Sequence, residues 1–218
     1  ERARMATLDG TIMKLVLFDI DGTLVNTSGS GLRAMTRAFV QLYGVEGALE
    51  GLACAGRTDR IIVQEALARV APHDRIDEGW WDAFRDRYCG LLESDLRDPA
   101  SGSGRVLPGI RPLLSALAER EDVVLALLTG NFARSARIKL AHFDLWDYFR
   151  CGAFGDHHTE RNHLMGVALE AAAGHKAFDA EWDEVFVIGD TPLDVACALS
   201  GGATAVAVAT GLFSTEAL

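Results

Sequence analysis

The sequence predicts an α/β fold: a doubly wound, Rossmann-like parallel-sheet core carrying an inserted all-helical cap domain. Three observations predict it. Four apolar runs are continuous rather than alternating, as suits strands covered on both faces. Helical stretches separate most of them. One long interval, placed straight after the first strand, reads as helix after helix and breaks the rhythm.

Taken in order, the N-terminal "ERARMATLDGTIM" carries basic residues but no apolar core, so it is not a secretory signal, and residues 1–12 are expected to be a leader or expression remnant. "KLVLF" is the first strand. From about Thr27 to Gly104 follow three helical stretches, "GLRAMTRAFVQLYG", "TDRIIVQEALARVA" and "DEGWWDAFRDRYCGLLESDL". Gly/Ser-rich segments flank this interval, "NTSGSG" before and "DPASGSG" after, and read as hinges of a movable lid. Trp80, Trp81, Phe84 and Tyr88 recur at helical spacing and are assigned to the lid's own core. The second half returns to the α/β alternation: "GIRPLLSALAER" as helix, "DVVLALL" as strand, then "FARSARIKLAHF" and "RNHLMGVALEAAAG" as helices. The strand "EVFVIG", the helix "PLDVACALSGG" and the strand "TAVAVA" complete it. The expected division is therefore 13–26 plus 105–218 for the core and 27–104 for the cap.

Composition narrows the partners. With 218 residues, 49% of them hydrophobic and 24% charged, the chain can bury a sizeable core. A net charge of -10 argues against a nucleic acid polymer or an anionic membrane, since phosphate backbones attract Lys/Arg patches. No apolar run approaches the roughly 20 residues a membrane helix needs. Cys54, Cys89, Cys151 and Cys197 are scattered without a CxxC pair, which points to reduced thiols and a cytoplasmic protein rather than a disulfide or zinc framework.

The chemistry gathers at predicted strand ends, where open parallel sheets bind ligands. "KLVLF" runs into Asp19-Ile20-Asp21-Gly22-Thr23, "DVVLALL" into Thr129-Gly130-Asn131, and "EVFVI" into Gly189-Asp190-Thr191-Pro192-Leu193-Asp194. Carboxylates brought together there repel by roughly 4 kcal/mol at ~4 Å, even at an effective dielectric near 20. A hard cation such as Mg²⁺, shared with a substrate phosphate, relieves that cost. Plainer readings exist for each motif. Asp19 and Asp21 fit a turn, and Asp194 fits a helix cap with Thr191 and Pro192. Thr129-Gly130-Asn131 fits a cap of the next helix, and His157-His158 fits a solvated loop.

"DIDGTL", "LLTGN" and "VIGDTPLD", in this order and spacing, resemble the haloacid dehalogenase superfamily, in the helical-cap subclass of phosphoglycolate phosphatases and beta-phosphoglucomutases. The resemblance covers residues from about 14 to 210. It implies Asp19 as the nucleophile that forms an aspartyl-phosphate, and Asp21 as the acid that protonates the leaving alcohol and then activates water. Thr129, with Gly130 and Asn131, would hold phosphoryl oxygens. Mg²⁺ would be held by Asp19, the Asp21 main-chain carbonyl and Asp190, with Asp194 in or beside the shell. The third motif departs from the family. Where a Lys is usual, this chain offers Arg161, with Lys176 as a rival. Arg57, in "GRTD" between two cap helices, is a candidate substrate contact.

The function so implied is Mg²⁺-dependent hydrolysis of a small phosphorylated metabolite. A mutase or phosphotransferase using the same two aspartates is the alternative. A phosphoaccepting signalling module is disfavoured by the DxD spacing, the hinged insert and GDxxxD.

Overall fold

A five-stranded parallel sheet in the order β5-β4-β1-β6-β7 forms the centre of the computed structural model, which describes residues 13–74, 76–102, 104–175 and 182–218. Its strands are β1 (Lys14–Phe18), β4 (Val123–Leu128), β5 (Cys151–Ala153), β6 (Glu184–Gly189) and β7 (Thr204–Ala207). The expected leader and Lys176 lie outside the described residues.

The continuous apolar runs are explained by two-sided burial. Along β1, Leu15 and Leu17 pack into a cluster with Leu164 and Met165 of α6 (His163–Ala173) and Cys197 and Ala198 of α7 (Pro192–Ser200). Val16 and Phe18 face the other way, onto Ile110 and Leu114 of α4 (Ile110–Ala118) and Ala136 and Leu140 of α5 (Ala133–His142). Because successive side chains alternate faces, a strand buried on both sides must be apolar at every position. Each such Leu or Phe contributes about 1.5–3 kcal/mol on burial.

The helical interval is an insertion with its own core. Helices α1 (Ser30–Tyr43), α2 (Asp59–Val70) and α3 (Glu78–Arg97) enclose Phe39, Val63, Trp81, Phe84 and Tyr88, among others, in a third cluster. Thr58 and Asp77 cap α2 and α3 by accepting from Ile61 N–H and Trp80 N–H. The chain leaves the core along β2 (Val25–Asn26) and returns along β3 (Arg105–Val106), and these pair antiparallel, Val25 opposite Val106. Exit and re-entry are thus tied together as one narrow ribbon. Neither this ribbon nor the three-residue β5 shows a period in the sequence; strands so short carry none. One core side chain, Phe132, crosses over and lies edge-on to Trp81 and Tyr88 in the insertion's cluster.

Candidate active site

Adjacent strands β4, β1 and β6 end at the same edge, so the residues that follow them converge. Sheet pairing continues one step past two of the strands: Asp19 N–H donates to Ile188 O (2.9 Å) and Thr129 N–H to Ala153 O (3.1 Å). Those bonds hold the backbone under two side chains of the site in the frame of the sheet. After Asp19 the chain turns sharply, with Leu24 and Val25 N–H both donating to Ile20 O. Gly22 sits at this turn with φ +81°, and a Cβ there would run into the Asp190 carboxylate.

Asp19 is buried, and Arg161 Nη2 stands 3.0 Å from its Oδ1. The same nitrogen binds Asp194 Oδ1, while Arg161 Nη1 donates to Gly56 O of the insertion (2.9 Å). Burial works against the Arg161 charge, but Asp19 and Asp194 outweigh it and hold the guanidinium above its ordinary range. Asp194 also accepts from Thr191 N–H (3.0 Å) and Thr191 Oγ1 (2.6 Å), completing a capping box at the start of α7. Both of its oxygens are therefore engaged. The capping reading of Asp194 describes real bonds, and Arg161 is bound in addition.

Asp19, Asp190 and Asp194 each bring a carboxylate oxygen within 4.8 Å of the others. Burial, reinforced by Asp19 and Asp194, pushes Asp190 up to about 7. Burial likewise pushes Asp19 up to about 6, with Arg161 opposing it. Thr23 Oγ1 approaches Asp190 Oδ1 at 3.4 Å. Asp19 and Asp190 bring buried hard oxygen donors together, with Asp194 beside them held by Arg161 and Thr191, and that donor set fits a divalent ion of the Mg²⁺ type.

Asp21 has a different setting. Its side chain is 43% exposed, and its Oδ2 accepts from Asn131 Nδ2 (2.9 Å) and Lys139 Nζ (2.5 Å). Lys139, buried on α5, also donates to Asn131 Oδ1 (2.6 Å). Thr129 Oγ1 accepts from Asn131 N–H (3.3 Å) and Nδ2 (2.8 Å). The Thr129-Gly130-Asn131 segment does not cap α5. That role falls to Asp59 of the insertion, accepting from Phe132 N–H (2.9 Å), and to Asp156, accepting from Ala133 N–H (2.7 Å).

The insertion closes over this edge. Asp59 N–H donates to Gly130 O (2.7 Å), Arg60 Nη1 to Asp156 O (2.8 Å), and Thr58 Oγ1 to Thr159 O (3.2 Å). Gly130 lies so near Arg57 O that any Cβ there would collide with it. Beneath lies a cavity of about 390 Å³ whose lining includes Asp19, Asp21, Asn131, Arg161 and Asp190.

Of the residues the motifs single out, Asp19, Asp21, Thr129, Gly130, Asn131, Arg161, Asp190 and Asp194 come together here. Arg57 lines the cavity too, but its guanidinium is clasped by Glu65 at 2.5 and 2.9 Å. Sequence reasoning missed Lys139 and Asp59. A signal for Lys139 existed: Ser135, Ala136, Lys139 and Leu140 form the buried face of α5, so the lysine interrupts a face turned inward.

Fold and site define an α/β protein whose acidic centre sits at the carboxyl edge of a parallel sheet beneath a helical insertion. The model of the haloacid dehalogenase-like hydrolase family matches residues 16–199. The chain belongs to that family. "Probable phosphatase IndB" of Dickeya dadantii is 28% identical over 206 residues, covering 94% of this chain and 84% of that protein. A phosphoglycolate phosphatase of Rhodospirillum rubrum is 29% identical over 201 residues, covering 91% and 80%. The crystal structure of CbbY from Rhodobacter sphaeroides in complex with phosphate superposes with a TM-score of 0.65 at 19% identity, covering 94% and 89%, and so shares the fold. Among the described residues, no helix is long and apolar enough to cross a membrane.

Proposed function

We propose that this chain is a cytoplasmic, Mg²⁺-dependent phosphomonoester hydrolase that acts on a small phosphorylated metabolite through an aspartyl-phosphate on Asp19. One observation carries the reading: Asp19 is buried at the strand end with Asp190 and Asp194 at its side and Arg161 on its Oδ1, while Asp21, two residues on, turns to separate partners.

A carboxylate oxygen of Asp19 forms a bond to phosphorus as the ester P–O bond breaks, and Asp21 gives its proton to the departing alcohol. Water then attacks the phosphorus with Asp21 taking its proton, and the bond to Asp19 breaks to release inorganic phosphate. The Thr129 hydroxyl accepts from Asn131 and keeps its own O–H to donate to a phosphoryl oxygen. Arg161 positions Asp19 and neutralises part of the phosphoryl charge. Asp19, Asp190 and the Asp21 main-chain carbonyl would hold Mg²⁺, which when bound supplies the remaining counter-charge. Asp194, whose oxygens are engaged by Arg161 and Thr191, stands beside that shell. Residues 27–104 act as the cap, and 13–26 with 105–218 as the catalytic core.

The test is phosphate release from a panel of phosphomonoesters, with Mg²⁺ and with excess EDTA. Release that requires Mg²⁺ is expected. Isomerisation of a sugar phosphate without net release would favour a mutase, and full turnover in EDTA would remove the metal.

A further inference from the structure

Resting on the hydrolase reading above, we infer that the substrate's leaving group is an uncharged alcohol with substantial apolar surface, and that the cavity discriminates against a second anionic group. Three cationic residues line the cavity among the described residues, Arg57, Lys139 and Arg161. Each already faces a carboxylate. Glu65 grips Arg57 through both oxygens, and Ala53 O takes a further bond from it (3.0 Å). Asp21 takes Lys139, and Asp19 with Asp194 takes Arg161. The lining also holds Asp59, buried and pushed up to about 6 by that burial. The phosphoryl group has its own partners on the floor of the site. A carboxylate at the alcohol end would meet Arg57 already gripped by Glu65 and Lys139 already shared between Asn131 and Asp21, with Asp59 in the same lining.

The surface offered instead is apolar. Leu32 and Met35 of α1, Ile62 of α2 and Cys54 line the insertion's side of the cavity, and Leu212 approaches from the segment after β7. Leu32 is 51% exposed and Leu212 86%, so two large apolar side chains at this cavity remain in water. An alcohol carrying apolar surface would cover them. Arg57 therefore acts on substrate choice only to the extent that Glu65 releases it.

The test separates binding from turnover. The Mg²⁺-loaded protein is titrated calorimetrically with two non-hydrolysable, near-isosteric phosphonates, 3-phosphonopropionamide and 3-phosphonopropionate. The neutral amide should bind at least about tenfold more tightly, a difference of about 1.4 kcal/mol. Equal or tighter binding of the acid would overturn the inference. Glu65→Gln frees the Arg57 guanidinium on a half-exposed pair, where folding is little affected. It should narrow the ratio by about threefold, through tighter binding of the acid and unchanged binding of the amide; an unaltered ratio would overturn the charge-balance argument. A protein that prefers the amide yet releases phosphate from neither 2-phosphoglycolamide nor 2-phosphoglycolate would unseat the hydrolase reading and leave the charge preference standing.

Discussion

Two cation–carboxylate pairs line the same cavity, and they are built differently. On the floor, Arg161 and Asp19 are both buried, and the guanidinium also reaches Asp194, Leu128 O and the insertion's Gly56 O. Under the insertion, Lys139 is buried but its partner Asp21 stays 43% exposed, and the ammonium donates to Asp21 Oδ2 and Asn131 Oδ1. A planar fork spreads one charge over several fixed acceptors, whereas an ammonium is a point charge on a flexible stem. The floor pair is thus a rigid part of the sheet edge. The upper pair leaves its carboxylate open to the cavity, as the acid role proposed for Asp21 requires.

The largest expected effect breaks the two carboxylates apart. Asp19→Asn should lower kcat by about 10⁴-fold or more and leave no covalent phosphoryl group in intact-protein mass spectra after acid quench. Asp21→Asn should cost about 10²–10⁴-fold on alkyl phosphates but less on aryl phosphates, whose alcohols leave without protonation. It should also accumulate one phosphoryl group, mapped by peptide to Asp19. A label elsewhere would contradict the division of labour.

Next comes the floor cation. Arg161→Ala strands Asp19 and Asp194 as buried charges without their partner and should destabilise by about 3–5 kcal/mol, read as a lower urea midpoint. Arg161→Lys keeps the charge but cannot span Asp194 and Gly56 O together, so it should recover part of that stability and part of the activity. Lys176→Ala should leave both close to wild type; a larger loss there would move the third-motif role to Lys176.

The contact between insertion and core is reached through pH. Burial pushes Asp59 up to about 6 from 3.8, with Lys139 opposing. Between about pH 4 and 6 the folded chain holds a proton that the unfolded chain has released, so this contribution to stability is full below 4 and lost as pH rises through 6. At ~1.4 kcal/mol per unit the loss is up to about 3 kcal/mol. Asp59→Asn should flatten the decline in urea-derived stability across that window, measured against wild type at one fixed Mg²⁺ concentration. An identical pH profile in both proteins would remove Asp59 as its source.

The smallest effect belongs to the upper cation. Lys139→Met removes a charge-assisted hydrogen bond of about 1.5–3 kcal/mol, so a loss of about 10–100-fold is expected. If Lys139 acts by positioning Asp21, the loss should be larger on alkyl than on aryl phosphates. A uniform loss would indicate a folding or closure defect instead.

The core strands and helices were legible in the sequence, because two-sided burial demands unbroken apolar runs and one-sided burial demands a helical stripe. The sequence also pointed to Asp19, Thr129 and Asp190 meeting, since parallel strands end at one edge, and the structure adds that β4, β1 and β6 are neighbours. The three-residue β5 and the two-residue ribbon of β2 and β3 escaped because their pairing is made by partners distant in the chain. The partners of the charges were set by folding. Arg57 reads as an open cation in "GRTD", yet Glu65 closes on it from a later turn of α2. The inward face of α5 marks Lys139 as covered, yet only folding shows that Gly31 of α1 lies against it and that Asp21 is its partner. Local pattern records which face of an element is covered. It does not record which charge waits on the other side, because Coulomb interactions act through space between elements that the chain brings together only on folding.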